Sequence, residues 1–284
     1  MSKSLHKSLY ILKYRVGIID GFQVYLRANL FLSVHVLAIL RIITLFVYFI
    51  LMNTLLLLIF ITRPFHHNSV ALAGKWYASM ATIMGVKVIV QNRDVIDPKQ
   101  TYVCIANHQN SFDLMTVCKA AFDGVVTVGK KSLKWIPVFG QIYYLSGNIM
   151  IDRQNSGRAR DTLKLTAKKI LEGNFSVWFF PEGTRSYGRG LLPFKTGAFR
   201  IAEETDKPVL MICASDTHNQ IKWNRWDNGT VLIRFYEPER LDDSKDIKQW
   251  TTYFHETMKQ RLVELTNEAN TYNHTVQSKS KRDV

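Results

Sequence analysis

The sequence predicts an α/β fold, a mixed sheet flanked by helices, carried behind an N-terminal membrane-anchoring helical segment. Three observations lead there: one long charge-free apolar run, short apolar strands alternating with helical patterns after it, and turn residues punctuating each change of period. The run Ile42 to Thr62, IITLFVYFILMNTLLLLIFIT, has 21 residues without a charge, enough for a helix to cross a hydrocarbon layer of roughly 30 Å. It is too long and too far from the start for a signal peptide. Leu30 to Leu40 is also apolar, interrupted by His35 and closed by Arg41, so two shorter helices dipping into one leaflet fit residues 30–62 as well as one span. Asn68 can cap a helix ending near Gly85, and Val86 to Val90 then reads as a strand. Tyr102 to Ala106 and Val125 to Val128 are further strands, with Ser111 to Phe122 helical between them. Arg158 to Leu171 is an amphipathic helix stopped by Gly173 and followed by the apolar strand Phe175 to Phe180. Strands at Val209 to Ala214 and Val231 to Tyr236 and a last helix from Asp246 to Asn267 complete the pattern. The expected organisation is an extension and anchor over 1–67, one domain over 68–270 and a loose polar tail over 271–284.

Lysine and arginine number 37 against 23 acidic residues, a net charge of +14. Such a surplus favours polyanionic partners. Nucleic acid is not expected, since no zinc spacing, basic-region heptad or RNA-binding aromatic signature is present. An anionic membrane surface or a phosphorylated substrate fits better. The stretch Lys119 to Arg200 holds 14 basic and 5 acidic residues, so the charge gathers around the motifs described next. Three scattered cysteines, Cys104, Cys118 and Cys213, imply a reducing compartment and no disulfide framework.

Four clusters could carry chemistry. In Asn107-His108-Gln109-Asn110-Ser111-Phe112-Asp113, a carboxylate five residues after a histidine points elsewhere if both lie in one helix. With His108 in the strand-to-helix turn, Asp113 can reach back from the first turn and hold one imidazole nitrogen, freeing the other as a general base. A buried histidine bonded to a capping carboxylate gives the same spacing. Phe180-Pro181-Glu182-Gly183-Thr184-Arg185-Ser186 follows an apolar strand, which suits either an exposed loop with amides facing a ligand and Arg185 facing a phosphate, or an ordinary turn with an Arg to Glu pair. Gly147 to Arg153 and Gly129 to Leu133 set the cations Arg153 and Lys130 beside turns, as solvated surfaces also do. His66-His67 reads as interfacial rather than as a metal ligand, and no metal-ligand cluster is visible.

Together and in this order, IANHQNSFDLMT, VGKKSLKWIPVFG, SGNIMIDR and FPEGTRSYGRGLLPFKTGAF resemble the glycerolipid acyltransferase family, specifically its bacterial 1-acyl-sn-glycerol-3-phosphate acyltransferases. The resemblance runs from about Leu40 to about Tyr236. It departs at Lys207-Pro208-Val209-Leu210-Met211-Ile212, where the family commonly has a second proline. The resemblance implies transfer of a fatty acyl group from acyl-CoA or acyl carrier protein to lysophosphatidic acid, giving phosphatidic acid. It implies His108 as catalytic base, Asp113 as its orienting partner, Glu182 and Gly183 as the loop shaping the acyl-transfer site, and Lys130, Arg153 and Arg185 as cations for the acceptor phosphate. The donor is a co-substrate, and no cofactor or metal is expected. An acyltransferase acting on another lysophospholipid or on glycerol 3-phosphate, and a non-catalytic protein binding acidic lipids, are the alternatives.

The expected location is the cell inner membrane with the catalytic domain facing the cytoplasm. Six cations precede the apolar run, and only Arg63 and Lys75 follow it closely, which favours a cytoplasmic N-terminus. Because the donors are cytosolic, a re-entrant hairpin or two spans is preferred over a single span.

Overall fold

The computed structural model describes residues 35–152, 156–173 and 175–280. The apolar run forms one continuous helix, α1 (His35–Thr62, 28 residues), about 42 Å long at about 1.5 Å per residue. No break divides it, so the pair of shorter helices expected over 30–62 is replaced, from His35 onward, by a single rod. Leu45, Met52, Leu56 and Phe60 recur along one stripe and are buried, whereas Ile43, Phe46, Ile50, Leu51, Leu58 and Ile61 are exposed.

The buried stripe packs on α2 (Ser69–Ile83), and three contacts set the pairing antiparallel. Arg41 Nε donates to Ile83 O, Tyr48 hydrogen-bonds Ser79 at 2.7 Å, and Tyr77 Oη donates to Asn53 Oδ1 at 2.7 Å. Arg41 is 5% exposed, and its remaining donors meet the carbonyls of Trp223, Arg225 and Trp226. A cation and an amide in an apolar helix are thereby matched by fixed partners, as burial of such groups requires. The anchor expected as a separate segment over 1–67 thus shares a hydrophobic core with the following domain. At the end of α2, Gly85 turns the chain at φ +68°, with Trp226 O only 2.0 Å from where a Cβ would stand.

Seven strands follow: β1 (Lys87–Gln91), β2 (Val103–Ala106), β3 (Val125–Lys130), β4 (Ile149–Ile151), β5 (Ser176–Phe179), β6 (Val209–Ala214) and β7 (Thr230–Phe235). Their order in the sheet is β1-β7-β6-β2-β5-β3-β4. β6, β2, β5, β3 and β4 run parallel, while β7 lies antiparallel to β6 and β1 pairs parallel with β7. The sheet is mixed and flanked by helices, as expected.

β2, β5 and β6 are buried along their whole length, the pattern of strands covered on both faces. Side chains alternate between two cores. Tyr102, Cys104, Trp178 and Ile212 face α1 and α2; Val103, Ile105, Val177 and Met211 face α4 (Ser156–Gly173), α5 (Gly197–Thr205) and α6 (Ile247–Ser280).

Several elements differ from expectation. Ser111 to Phe122 is not one helix but two 3-10 turns, Ser111–Leu114 and Val117–Ala120. α3 (Phe139–Leu145), β4 and α5 lie in stretches to which the sequence assigned no element, each too short for periodicity to register. α6 continues past Thr271 to Ser280 in place of a loose tail, because Asn273 Oδ1 accepts from Thr230 N at 2.7 Å and ties the extra turns to β7.

Candidate active site

The chain leaves β2 at Ala106 into a turn that is locked before any chemistry is considered. Asn107 and Ala214 exchange two hydrogen bonds, Asn107 Nδ2 to Ala214 O at 3.0 Å and Ala214 N to Asn107 Oδ1 at 2.8 Å. Gln109 Nε2 donates to Ser215 O at 2.8 Å, and Gln109 Oε1 accepts from Thr217 N at 2.7 Å. His108 is held between these two amides. This is the carboxyl edge of the parallel strands, where α/β sheets bind their ligands.

Asn110 then caps the turn Ser111–Leu114, accepting from Phe112 N at 2.8 Å. The tight turn brings Asp113 back over the preceding loop. Its Oδ2 accepts from His108 Nδ1 at 2.6 Å, from Gln109 N at 2.7 Å and from Asn110 N at 3.3 Å. Asp113 is 4% exposed. With Nδ1–H donated to a carboxylate, Nε2 of His108 carries the lone pair. The imidazole stacks on Phe180 at 4.1 Å and 20°. A histidine and aspartate five apart therefore meet through a 3-10 turn, where one α-helix would have separated them.

The loop after β5 closes the other side. Glu182 is buried, its Oε1 accepting from His108 N at 2.6 Å and its Oε2 from Leu192 N at 2.9 Å. Burial pushes its carboxyl up to about 7, with Asp113 adding to the rise and the two N–H donors and Arg189 opposing it. Two further backbone bonds, Ser186 N to His108 O and Tyr187 N to Gln109 O, zip this loop onto the histidine loop. Gly183 has φ +70°, and a Cβ there would sit 2.8 Å from Lys195 Cε. The N–H of Gly183 donates to Phe180 O at 2.9 Å, so it closes the turn and is turned away from any ligand. Arg185 Nη1 reaches back across the loops to Ser111 Oγ at 3.2 Å. The segment is a turn, but no pair forms between Arg185 and Glu182 among the described residues: Glu182 is engaged by two backbone N–H groups and Arg185 by Ser111.

The family model for Acyltransferase matches residues 87–215, from the start of β1 to just beyond β6, and so encloses both loops. A 1-acyl-sn-glycerol-3-phosphate acyltransferase of Haemophilus influenzae is 42% identical over 205 residues, covering 71% of this chain and 85% of that protein. This chain belongs to the acyltransferase family. The 1-acyl-sn-glycerol-3-phosphate acyltransferase of Escherichia coli is 39% identical over 207 residues, covering 72% of this chain and 84% of its own length. The crystal structure of the lysophosphatidic acid acyltransferase of Thermotoga maritima superimposes with a TM-score of 0.58 at 24% identity, over 70% of this chain and 78% of that one, which establishes the shared fold.

In this acyltransferase one more of the expected site residues lies along the same edge. Lys130 is exposed at the carboxyl end of β3, two strand spacings or about 10 Å from β2. Arg153 lies outside the described residues. Two side chains that the motif reading passed over also reach the site. Lys195 packs against Gly183, and Ser111 receives the Arg185 guanidinium. Lys195 stands twelve residues after Gly183 in sequence, and only the loop's return past Leu192 makes them neighbours.

Proposed function

We propose that this acyltransferase moves a fatty acyl group from a thioester, acyl-CoA or acyl carrier protein, to the free hydroxyl of 1-acyl-sn-glycerol 3-phosphate, producing phosphatidic acid. The observation that carries the reading is the 2.6 Å contact of His108 with Asp113, on the same loop cluster as the Arg185 guanidinium. The activity by which the relatives are named supplies the acceptor.

In this reading His108 Nε2 takes the proton of the acceptor hydroxyl as its oxygen attacks the thioester carbonyl. Asp113 stabilises the imidazolium that results. The amides of Thr184 and Arg185, next along the turn from Gly183, are the donors suited to the oxyanion. Collapse of the tetrahedral intermediate breaks the carbon–sulfur bond, and the departing sulfur recovers the proton from His108. The residues thus supply a base, an oxyanion site and cations, and the reading assigns the reaction no cofactor. Arg185, with its planar fork, takes the acceptor phosphate, with Lys130 and Arg153 as further cations.

The same reading puts the protein at the inner membrane with its catalytic domain on the cytoplasmic side. α1 is docked along its length on α2 and turns an apolar face outward, so the domain lies beside the helix and not below one end of it. Exposed aromatics sit at both ends of that face, Trp223 and Trp226 near Arg41, and Phe65 with Tyr144 past Thr62. This arrangement suits a helix lying in one leaflet.

The deciding experiment offers membranes containing the protein lysophosphatidic acid and glycerol 3-phosphate with both donors. Phosphatidic acid formed from lysophosphatidic acid, and abolished by His108→Ala, is the expected result. Acylation of glycerol 3-phosphate alone, or phosphatidic acid formation untouched by His108→Ala, overturns the reading.

A further inference from the structure

We propose that Tyr187 and Ser111 complete, around Arg185, a three-donor cradle that reads the acceptor's headgroup as a phosphate monoester. The inference rests on the proposed function and deepens it, because it selects lysophosphatidic acid from among lysophospholipids whose phosphate carries a further substituent.

Tyr187 is held in a conformation that its side chain does not favour. Its φ of +49° lies in the left-handed region, which a bulky residue rarely adopts, and it is 55% exposed, so no core packing demands the ring there. What holds it is the loop. Tyr187 N donates to Gln109 O at 2.8 Å and Ser186 N to His108 O at 2.9 Å. Arg189 fastens the same turn, from its Nε to Ser186 O at 2.7 Å and from its Nη2 to Arg185 O at 2.8 Å. Backbone strain persists where surrounding bonds over-determine it, and it gathers at functional sites.

The strained turn sends the phenol to one place. Tyr187 Oη accepts from Arg185 Nη1 at 3.4 Å, and the same nitrogen reaches Ser111 Oγ at 3.2 Å. Asn107, Gln109, Ser186 and Gly188 line a cavity beside α6, whereas His108, Ser111, Arg185 and Tyr187 do not. The three-residue cluster therefore stands on the His108 side of the paired loops. Ser111 belongs to the same short turn as Asp113, the carboxylate that holds His108.

The chemistry of the cluster is one-sided. A guanidinium has five N–H donors and no acceptor, and the two hydroxyls, accepting from Nη1, keep their own hydrogens to give. No carboxylate pairs with Arg185 among the described residues, since Glu182 accepts from two backbone N–H groups and Asp113 from His108 and two amides. The guanidinium also lowers the phenol's pKa below the ordinary 10, with Ser111 adding to the fall, which makes its O–H a better donor. Donors without an acceptor, gathered around one positive charge, match an anion with several oxygens. A phosphate monoester presents three unsubstituted oxygens, one each for Arg185, Ser111 and Tyr187. A diester presents two and leaves one donor empty. Phosphate and reacting hydroxyl sit on adjacent glycerol carbons, which suits a cradle in the turn next to His108.

The test uses the full-length protein in detergent with palmitoyl-CoA as donor. Acceptors are 1-oleoyl-lysophosphatidic acid and 1-oleoyl-lysophosphatidylglycerol, a monoester and a diester with the same acyl chain. Wild type is expected to prefer the monoester in kcat/KM. Tyr187→Phe removes the hydroxyl and keeps the ring, and should lower that preference about 10-fold, the effect of one hydrogen bond to a charged group, through KM for lysophosphatidic acid. Ser111→Ala should repeat the fall. Tyr187→Asn suits the left-handed backbone, so it should unfold no earlier than wild type while losing the preference as well. If Tyr187 only supports the loop, both of its variants lower activity on the two acceptors alike. That result, no preference in wild type, or a preference unchanged by removal of either hydroxyl overturns the cradle. Equilibrium binding of the two lysophospholipids without donor separates this proposal from the functional one. Wild type that binds lysophosphatidic acid more tightly than the diester, loses that difference in Tyr187→Phe and forms no phosphatidic acid overturns the functional reading and supports the cradle. Phosphatidic acid formation with an unchanged preference does the reverse.

Discussion

Glu182→Gln removes a charge from beneath the histidine without changing shape, and its effect should depend on pH in a defined direction. The Glu182 carboxyl is buried and its pKa is pushed from the ordinary 4.5 up to about 7, so the folded protein holds this proton more tightly than the unfolded chain does. Its contribution to stability is therefore fully present below about pH 4.5 and is lost as pH rises through about 7. The interval corresponds to about 3 kcal/mol, at about 1.4 kcal/mol per pKa unit. Glutamine cannot titrate, so this slope vanishes in the variant. One of the two N–H donors, His108 N or Leu192 N, then faces an amide NH2, a loss of about 1 kcal/mol that is independent of pH. Thermal unfolding of both proteins in detergent, followed by tryptophan fluorescence at pH 5 and pH 8, measures the difference. Wild type should lose about 5–10 °C more than the variant between those pH values, at about 2–4 °C per kcal/mol for a chain of this size. Parallel shifts would show that the two backbone donors already offset the burial of the charge, and would refute the reasoning.

His108→Ala should lower turnover by about two to four orders of magnitude while lysophosphatidic acid binding survives; a variant keeping more than about a tenth of wild-type activity removes the base assignment. Asp113→Asn should also be damaging, since an amide cannot stabilise the imidazolium even when its oxygen keeps the bonds from the Gln109 and Asn110 amides; wild-type kcat would reduce Asp113 to a cap. Arg185→Lys, which retains charge but not the planar fork, should lower kcat/KM for lysophosphatidic acid by roughly 10- to 150-fold, with little effect on an acceptor lacking the phosphate. Equal losses on both acceptors would transfer the phosphate role to Arg153 and Lys130.

Much of the fold was legible from period and punctuation. The central strands β2, β5 and β6 are apolar runs bounded by turn residues, and their positions match the expected ones to within a residue or two. α3, β4 and α5 were not legible, because three to nine residues hold too few turns or alternations to display a period, and neighbours in the sheet decide their state. The same limit applied to Ser111–Phe122, where a helical pattern breaks into two 3-10 turns.

By itself, the sequence determined the residue types at the site and their order: a histidine and a carboxylate five apart at the end of a strand, then a glycine turn with a glutamate and an arginine at the end of another. It also determined that an apolar helix precedes the domain, because composition and length alone decide whether a segment can enter hydrocarbon. Tertiary structure decided what those residues do to one another. Strand order placed the ends of β2 and β5 side by side, so Glu182, 74 positions from His108, accepts the histidine's own N–H and stands in a burial that raises its pKa. It turned Gly183 N–H toward Phe180 and away from a ligand, and brought Lys195 onto that glycine. It also docked the apolar N-terminal helix through Arg41 and Asn53, whose partners lie far along the chain, at Trp223 to Trp226 for the one and Tyr77 for the other. Hydrogen bonds and burial depend on distance in space, and separation along the chain does not encode it.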